Sequence, residues 1–181
     1  NDPHMILEYA EKQKEELELT KEKLSLNLLP QLLLQRKTAT TQSVAELYEG
    51  FKGLKAVRDE LMRTLNPGDE LLIQGAPKIA NEKWEGWLLG FHKEREERKV
   101  GMRIIYNSDA KKYGAIRKKW KLTKVRYMTN DLSSPNWIDV YPGAVLFGMI
   151  LKEPIAFVVR DKELAKSFRA YFEIMWKNSK T

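Results

Sequence analysis

The sequence predicts an α/β fold in which helices cover a mixed sheet, with one long helix in front of it. Three observations support this class. Short apolar segments of strand length alternate with amphipathic segments of helix length through the middle of the chain. Strand-like segments then follow one another from Val125 to Val159, and an amphipathic helix follows them. The chain has 181 residues, 43% of them hydrophobic, which is enough for one buried core.

The N-terminal segment predicts helix and no strand. We interpret residues 1–4, Asn-Asp-Pro-His, as a cloning remnant, and residues 5–43 as a helical linker or dimerisation segment. Ile6 to Leu29 is rich in Glu, Lys and Leu and contains no Gly or Pro, which is typical of a long helix. Pro30 ends or kinks this helix, and a second short helix is expected before residue 43.

Leucines of the long helix have heptad-like spacing, which is typical of a coiled coil. They are Leu7, Leu17, Leu24 and Leu28. Lys14 and Lys21, however, occupy positions that a strict seam would fill with apolar side chains. Two interpretations follow: the helix pairs two chains, or it lies along its own domain. We favour pairing and expect a homodimer.

Residues 44–181 predict the α/β domain itself. In order, we expect a strand at 44–50, a helix with Phe51, Leu54, Val57, Leu61 and Leu65 on one face, a strand at 70–74, a helix at 81–99, a strand at 102–106, a helix at 109–120, strands at 125–128, 137–141, 144–151 and 155–159, and a helix from Asp161 to Trp176. Asp109 is expected to cap the third of these helices. Leu164, Phe168, Tyr171, Phe172 and Met175 form the expected apolar stripe of the last one.

Composition excludes several kinds of site. The chain has no cysteine, so disulfides, thiolate metal sites and cysteine nucleophiles are absent. No apolar segment approaches the roughly 20 residues of a membrane helix, and we expect a cytoplasmic protein that does not bind membranes. The net charge of +7 and the pI of about 9.4 favour anionic partners. We predict no metal site and no cofactor.

Three segments resemble the TrmB-like transcriptional regulators, a mostly archaeal family. Ala45 to Lys55 (AELYEGFKGLK) resembles the opening of the effector-side domain of that family. Val125 to Tyr141, with Ser134-Pro135 inside it, resembles the strands in the middle of the domain, and Phe168 to Lys177 resembles its closing helix.

The resemblance implies an effector-sensing and dimerisation domain with a non-catalytic, phospholipase-D-like fold. In such regulators a winged-helix domain reads DNA, and a helical linker pairs two chains. No winged-helix pattern precedes Ile6, so we expect DNA to be read by a domain missing from this chain. The effector would be an unknown small molecule. Sugar-responsive members carry a further β-rich domain, which is not found after Thr181, so the resemblance does not extend to a sugar effector.

Phospholipase-D-type hydrolysis needs a His nucleophile and a Lys in the pattern His-x-Lys-x4-Asp. Apart from His4, the chain offers only His92, which is followed directly by Lys93, and Lys99 stands where the Asp is needed. We therefore predict that the chain is not an enzyme, with a phospholipase-D-superfamily phosphodiesterase as an alternative. We interpret His92 as a partly exposed helix residue.

A basic segment supports a second alternative, a nucleic-acid-binding module. Residues 111–126 contain eight basic residues and no acidic one, with aromatic residues between them. A solvated helix would explain the same pattern. The candidate anion or nucleic-acid contacts are Lys111, Lys112, Arg117, Lys118, Lys119 and Lys121.

Candidate effector contacts are fewer. Arg126 lies on a predicted strand, where an inward-pointing arginine usually has a partner, so it predicts a structural ion pair or an effector contact. Gln74, Tyr48 and Tyr106 complete the candidate effector-binding set. We interpret Trp84, Trp87 and Phe91, at helical spacing, as core and not as a ligand cage. The segment Gly50 to Gly53 predicts a tight turn, with an anion cradle as the alternative.

Overall fold

A computed structural model describes residues 4–23, 26, 44–129 and 133–181. The chain divides between Gln42 and Ser43 into two units, which are considered separately. Leu24, Leu28 and the expected second helix before residue 43 lie outside the described residues.

The first unit contains the helix α1, His4–Lys23. It confirms the long N-terminal helix. Leu17 is 68% exposed in the single chain and Leu19 is 56% exposed. Lys21, at an expected seam position, forms an ion pair with Glu18 at 3.3 Å. Leu17 and Leu19 are therefore available to a partner.

The second unit has the predicted order of strands and helices. Its elements are β1 (Val44–Glu49), α2 (Gly50–Arg63), β2 (Glu70–Ala76), α3 (Lys78–Glu97), β3 (Gly101–Tyr106), a 3-10 turn (Ser108–Ala110), α4 (Lys111–Arg117), β4 (Thr123–Tyr127), β5 (Asn136–Tyr141), β6 (Ala144–Ile150), β7 (Pro154–Arg160) and α5 (Lys162–Asn178). Gly50 begins α2 with a φ of +70°, a conformation that favours glycine.

The strands form one seven-stranded mixed sheet in the order β1-β7-β6-β5-β2-β3-β4. β2, β3 and β4 are parallel to one another, whereas β5, β6, β7 and β1 pair antiparallel. The two halves meet where β5 pairs antiparallel with β2. Parallel strands joined by helices and antiparallel strands joined by turns therefore share one sheet.

Helices cover both faces of this sheet, as predicted. On one face the larger core contains Leu54 and Val57 from α2, Phe91 from α3, and Ile104 from β3. On the other face Phe172 of α5 packs against a smaller core that includes Leu72, Ile105 and Val140. Adjacent strand residues serve opposite faces because side chains alternate along a strand.

Three local predictions were wrong. The helix expected at 109–120 is a 3-10 turn followed by the short α4, Lys111–Arg117. Asp109 caps neither, and its carboxylate accepts a hydrogen bond from Ser133 Oγ at 2.7 Å. Tyr171, expected in the packed stripe of α5, is 58% exposed, because the next residue, Phe172, is the one that faces the sheet.

The last helix begins at Lys162, next to its expected start at Asp161. The side chain of Asp161 caps α5 by accepting a hydrogen bond from the Leu164 amide at 2.7 Å. Among the described residues, no helix is long and apolar enough to cross a membrane.

Candidate functional site

A crevice lies at the edge of the sheet where the parallel strands end. β2 ends at Gln74-Gly75-Ala76, β3 ends just before Asn107, and β5 begins at Asn136 on the same edge. In open α/β sheets, ligands bind outside the carboxyl ends of the strands, near the point where the strand order changes direction. Here the crevice has a volume of about 300 Å³, and its walls also include Met128, Ser134, Trp137, Ile138 and Met175.

Asn107 is the most constrained polar residue of the crevice. It is 1% exposed, and its Nδ2 donates a hydrogen bond to the Ser134 carbonyl oxygen at 2.8 Å. Its Oδ1 is buried and has no partner among the described residues. A buried acceptor without a donor is costly, so this atom is suited to a donor group of a ligand or to a water molecule.

Gly75 keeps the space beside Asn107 open. Its φ is +74°, and a Cβ placed there would lie 3.4 Å from the Asn136 carbonyl oxygen and 3.8 Å from Asn107 Oδ1. A side chain at this position would thus fill the floor of the crevice and strain the backbone.

The crevice is equipped for binding. Its described walls present amides, a hydroxyl, thioethers and apolar side chains, and none of these groups titrates near neutral pH. General acid–base chemistry needs a group that does. In the part of the chain that the structure describes, no group of three or more His, Cys, Asp or Glu side chains could hold a metal ion.

The four predicted effector residues do not form one site. Gln74 is half-buried in the crevice, whereas Tyr106 is buried on the sheet face that α2 and α3 cover. Tyr48 lies at the other end of the sheet, where its hydroxyl donates to Glu46 and accepts from Arg160. Arg126 lies over the Trp176 ring at 5.0 Å and donates to the Trp176 carbonyl, so it holds the C-terminal end of α5.

The predicted basic surface exists, but without Arg117. Lys111, Lys112, Lys118, Lys119 and Lys121 are exposed, and none of them forms an ion pair with a described residue. Arg117 is fully buried, and its guanidinium contacts both carboxylate oxygens of Glu85, at 2.7 and 3.0 Å. The prediction for Arg117 was wrong because it lies one helical turn after buried Tyr113, on the inward face of α4.

His92 is also buried, although the sequence suggested partial exposure. It is 3% exposed, and its ring stacks on Trp120 with centroids 6.0 Å apart. Burial first, and then the charges of Arg117, Arg95 and Arg58, lower the pKa of His92 well below 6.5. Near His92, two ion pairs lie along the outer face of α3, Lys93 with Glu97 at 4.0 Å and Arg98 with Glu94 at 3.1 Å.

Sequence reasoning missed most of the crevice. Asn107, Ser134 and Asn136 were not singled out, because isolated amides and hydroxyls are common in loops. Their position was informative, since Asn107 directly follows a buried strand and Asn136 directly precedes another. Polar residues at strand ends could therefore have suggested this edge.

Solved structures share this fold. TrmBL2, described as an archaeal chromatin protein that shows a novel mode of DNA binding, matches with a TM-score of 0.53 and 16% identity, covering 97% of this chain and 67% of that chain. NucT from Helicobacter pylori matches with a TM-score of 0.58 and 11% identity, covering 77% of this chain and 99% of that chain. Nuc from Salmonella typhimurium, a phospholipase D family member, matches with a TM-score of 0.52 and 12% identity, covering 77% of this chain and 97% of that chain.

At these identities the similarity shows the fold alone. The chain therefore has a phospholipase-D-like α/β fold, as the resemblance implied. No protein-family model matches the sequence, and no curated protein is significantly similar to it.

Proposed function

We propose that this chain is a non-catalytic, effector-sensing and dimerisation domain of a DNA-binding transcriptional regulator. A small molecule bound by residues 44–181 would favour one arrangement of two chains over another, and α1 would transmit the difference. DNA would be read by a winged-helix domain that is not part of this sequence. The effector would be a small molecule that fits a site in residues 44–181.

One observation carries this proposal: a phospholipase-D-like fold occurs here on a sequence without the His-x-Lys pattern. The covalent route of phospholipase-D chemistry needs that histidine as its nucleophile. The one described histidine with a described side chain, His92, is buried on the inward face of α3 near three arginines. Such a scaffold is better suited to binding than to turnover.

Two further observations support the regulatory part. TrmBL2, which matches along 97% of this chain, is itself described as binding DNA. The crevice at Gln74 and Asn107 has the volume of a small-molecule site and a buried acceptor without a partner. We propose this crevice as the place where the effector binds.

The dimer is tested by two leucines of α1. Leu17 lies on the predicted seam and Leu19 two positions away, outside the seam, and both are exposed in the single chain. We expect Leu17→Glu to convert a dimer into a monomer at micromolar concentration, because a carboxylate in a seam is desolvated without a partner. Light scattering coupled to size-exclusion chromatography measures the mass.

Leu19→Glu is the matched control, with the same chemical change on the same helix, and it should leave the dimer intact. A wild-type protein that is monomeric at micromolar concentration would contradict the proposed dimerisation. Equal loss of dimer in both variants would show that the leucine seam is not the interface.

A second candidate function is direct nucleic-acid binding by the basic surface of α4 and the turn that follows it. The exposed lysines without ion-pair partners favour it. Phosphate contacts of this kind predict an affinity for duplex DNA that falls steeply with salt. Absence of binding even at low salt would remove this candidate.

A further inference from the structure

A second cavity lies beneath α3, on the sheet face opposite to α5. It encloses about 40 Å³, and its walls come from α2, α3 and the strands β2, β3 and β5. Trp137 borders both this cavity and the crevice, but the other walls of the crevice do not reach it. The cavity and the crevice are therefore separate spaces.

Indole rings form the wall of this cavity next to solvent. Trp84 and Trp87 line it and are half-buried, and α3 departs from helical geometry at Trp84, with φ −132° and ψ 25°. Phe51 stacks on Trp84 at 5.1 Å and meets Trp87 edge-on at 5.4 Å, which fixes both rings from the α2 side. The sequence suggested that these rings were core, but their partial exposure provides a surface for a planar apolar group.

Polar groups line the deeper part of the cavity. Asn81 and His92 are 3% exposed and Tyr106 is 2% exposed. The Nδ1 of His92 has no partner among the described residues, and no described residue hydrogen-bonds to the Tyr106 hydroxyl. The buried Nδ1 of His92, which has no partner in the described part of the chain, destabilises the fold unless a ligand or a water molecule satisfies it.

The surroundings of the cavity carry more positive than negative charge. Arg58 pairs with Asp139 at 2.9 Å and Arg117 pairs with Glu85 at 2.7 Å. Arg95, also fully buried, donates to the Val100 and Leu122 carbonyls and the Thr123 hydroxyl, and it forms no ion pair with a carboxylate of the described residues. An anionic group is favoured here and a cation is disfavoured.

His92 is compatible with an anionic ligand although it is neutral. Because burial and the three arginines lower the pKa of His92, its imidazole is uncharged at pH 7. A neutral imidazole can carry its proton on Nδ1 and donate it to an acceptor. The Tyr106 hydroxyl can donate as well.

We propose that the cavity beneath α3 binds a small aromatic carboxylic acid, with its ring against Trp84 and Trp87 and its carboxylate directed to His92 and Tyr106. Since one water needs roughly 10–15 Å³, the enclosed volume fits a group of about three heavy atoms such as a carboxylate. The ring then stays at the mouth. Binding of this ligand does not depend on the proposed function. Its role as an effector does.

Benzoate is the probe for this site, and benzylamine, its cationic counterpart of similar size, is the comparison. Titration of the full chain is followed by tryptophan fluorescence and by calorimetry. We expect saturable benzoate binding and an affinity for benzylammonium at least about tenfold lower. No saturable benzoate binding up to about 10 mM, or equal affinity for the two probes, would overturn the proposal.

Two variants locate the binding. Tyr106→Phe removes one donor and should weaken benzoate about fivefold, whereas Tyr171→Phe, an exposed tyrosine on α5, should have no effect. Trp84→Leu removes a half-exposed ring and should also weaken the binding of benzoate. This variant tests the site independently if Tyr106→Phe does not fold. Benzoate binding that neither cavity variant weakens would overturn the proposal. The oligomeric state, measured on the same samples, tests the proposed function separately.

Discussion

Three arginines, Arg58, Arg95 and Arg117, surround the imidazole of His92. Burial and these charges lower the pKa of His92 well below 6.5. In the unfolded chain the same side chain takes up a proton as the pH falls below about 6.5. Since the unfolded state then binds more protons than the folded one, the free energy of unfolding decreases with falling pH.

This linkage gives a prediction for His92. Between pH 6.5 and about 5.5 we expect the free energy of unfolding to drop by about 1 kcal/mol because of this one histidine. His92→Gln should remove that drop, whatever its effect on stability at pH 8. Urea unfolding at several pH values measures the difference.

His4 provides the control for the pH experiment. It is the only other histidine of the chain, so His4→Gln changes the histidine count without touching the buried imidazole. We expect this variant to keep the wild-type pH dependence. If His92→Gln kept it as well, the buried histidine would not be the cause.

Individual residues show where sequence reasoning stopped. The basic pattern of residues 111–126 identified five exposed lysines but could not separate Arg117 from them. Its burial depends on Glu85, which lies on another helix and 32 positions away. The crevice could not be predicted for the same reason. Asn107 and Asn136 become neighbours only when β2 pairs with both β3 and β5.

At the level of elements, α5 is held against the sheet by one buried ring and several charged contacts. Phe172 is fully buried and stacks on Trp176 with centroids 5.6 Å apart. Arg103 of β3 binds Glu173 at 2.6 and 2.8 Å and Glu70 at 2.8 and 2.9 Å. These contacts attach α5 to the parallel half of the sheet.

Adjacent aromatic residues of α5 allow a matched test of this attachment. Phe172→Ala should lower the free energy of unfolding by about 3–5 kcal/mol, because it leaves a cavity under the helix. Tyr171→Ala, at a position that is 58% exposed, should change it by less than about 0.5 kcal/mol. Chemical denaturation measures both. Similar losses in the two variants would contradict the packing described for Phe172.

The order of elements was predictable, but their arrangement in the sheet was not. Turn signals such as Asn66-Pro67-Gly68-Asp69 and Pro142-Gly143 mark where one element ends and the next begins. In the sheet, however, β1 pairs with β7 and β2 pairs with β5. Such pairings depend on contacts between distant segments, which local patterns do not encode.

Across the whole molecule, charge is unevenly distributed. The net charge is +7, and residues 111–126 contribute eight basic residues without an acidic one. The ammonium group of Lys112 lies 4.9 Å from the centre of the Tyr113 ring, and that of Lys118 lies 5.2 Å from the centre of the Tyr127 ring. Both lysines are exposed. If DNA contacts this domain, the placement of these lysines should matter more than the total charge.

Two variants, each with three lysines changed to Gln, distinguish the effect of lysine position from the effect of total charge. Changing Lys118, Lys119 and Lys121 to Gln removes three charges from the basic surface, and changing Lys52, Lys83 and Lys152 to Gln removes three exposed charges elsewhere. Each variant has a net charge of +4, that is +7 minus 3. We expect only the first to weaken binding to a 20-base-pair duplex, followed by fluorescence anisotropy.

The salt dependence makes this comparison quantitative. Removing one lysine–phosphate interaction should reduce the slope of log K against log salt by about 0.9, so the slope of the first variant should fall by up to about 2.7. The second variant should keep the wild-type slope, because its lysines do not contact the duplex. Equal changes in both variants would mean that the duplex responds to net charge and that residues 111–126 form no nucleic-acid interface.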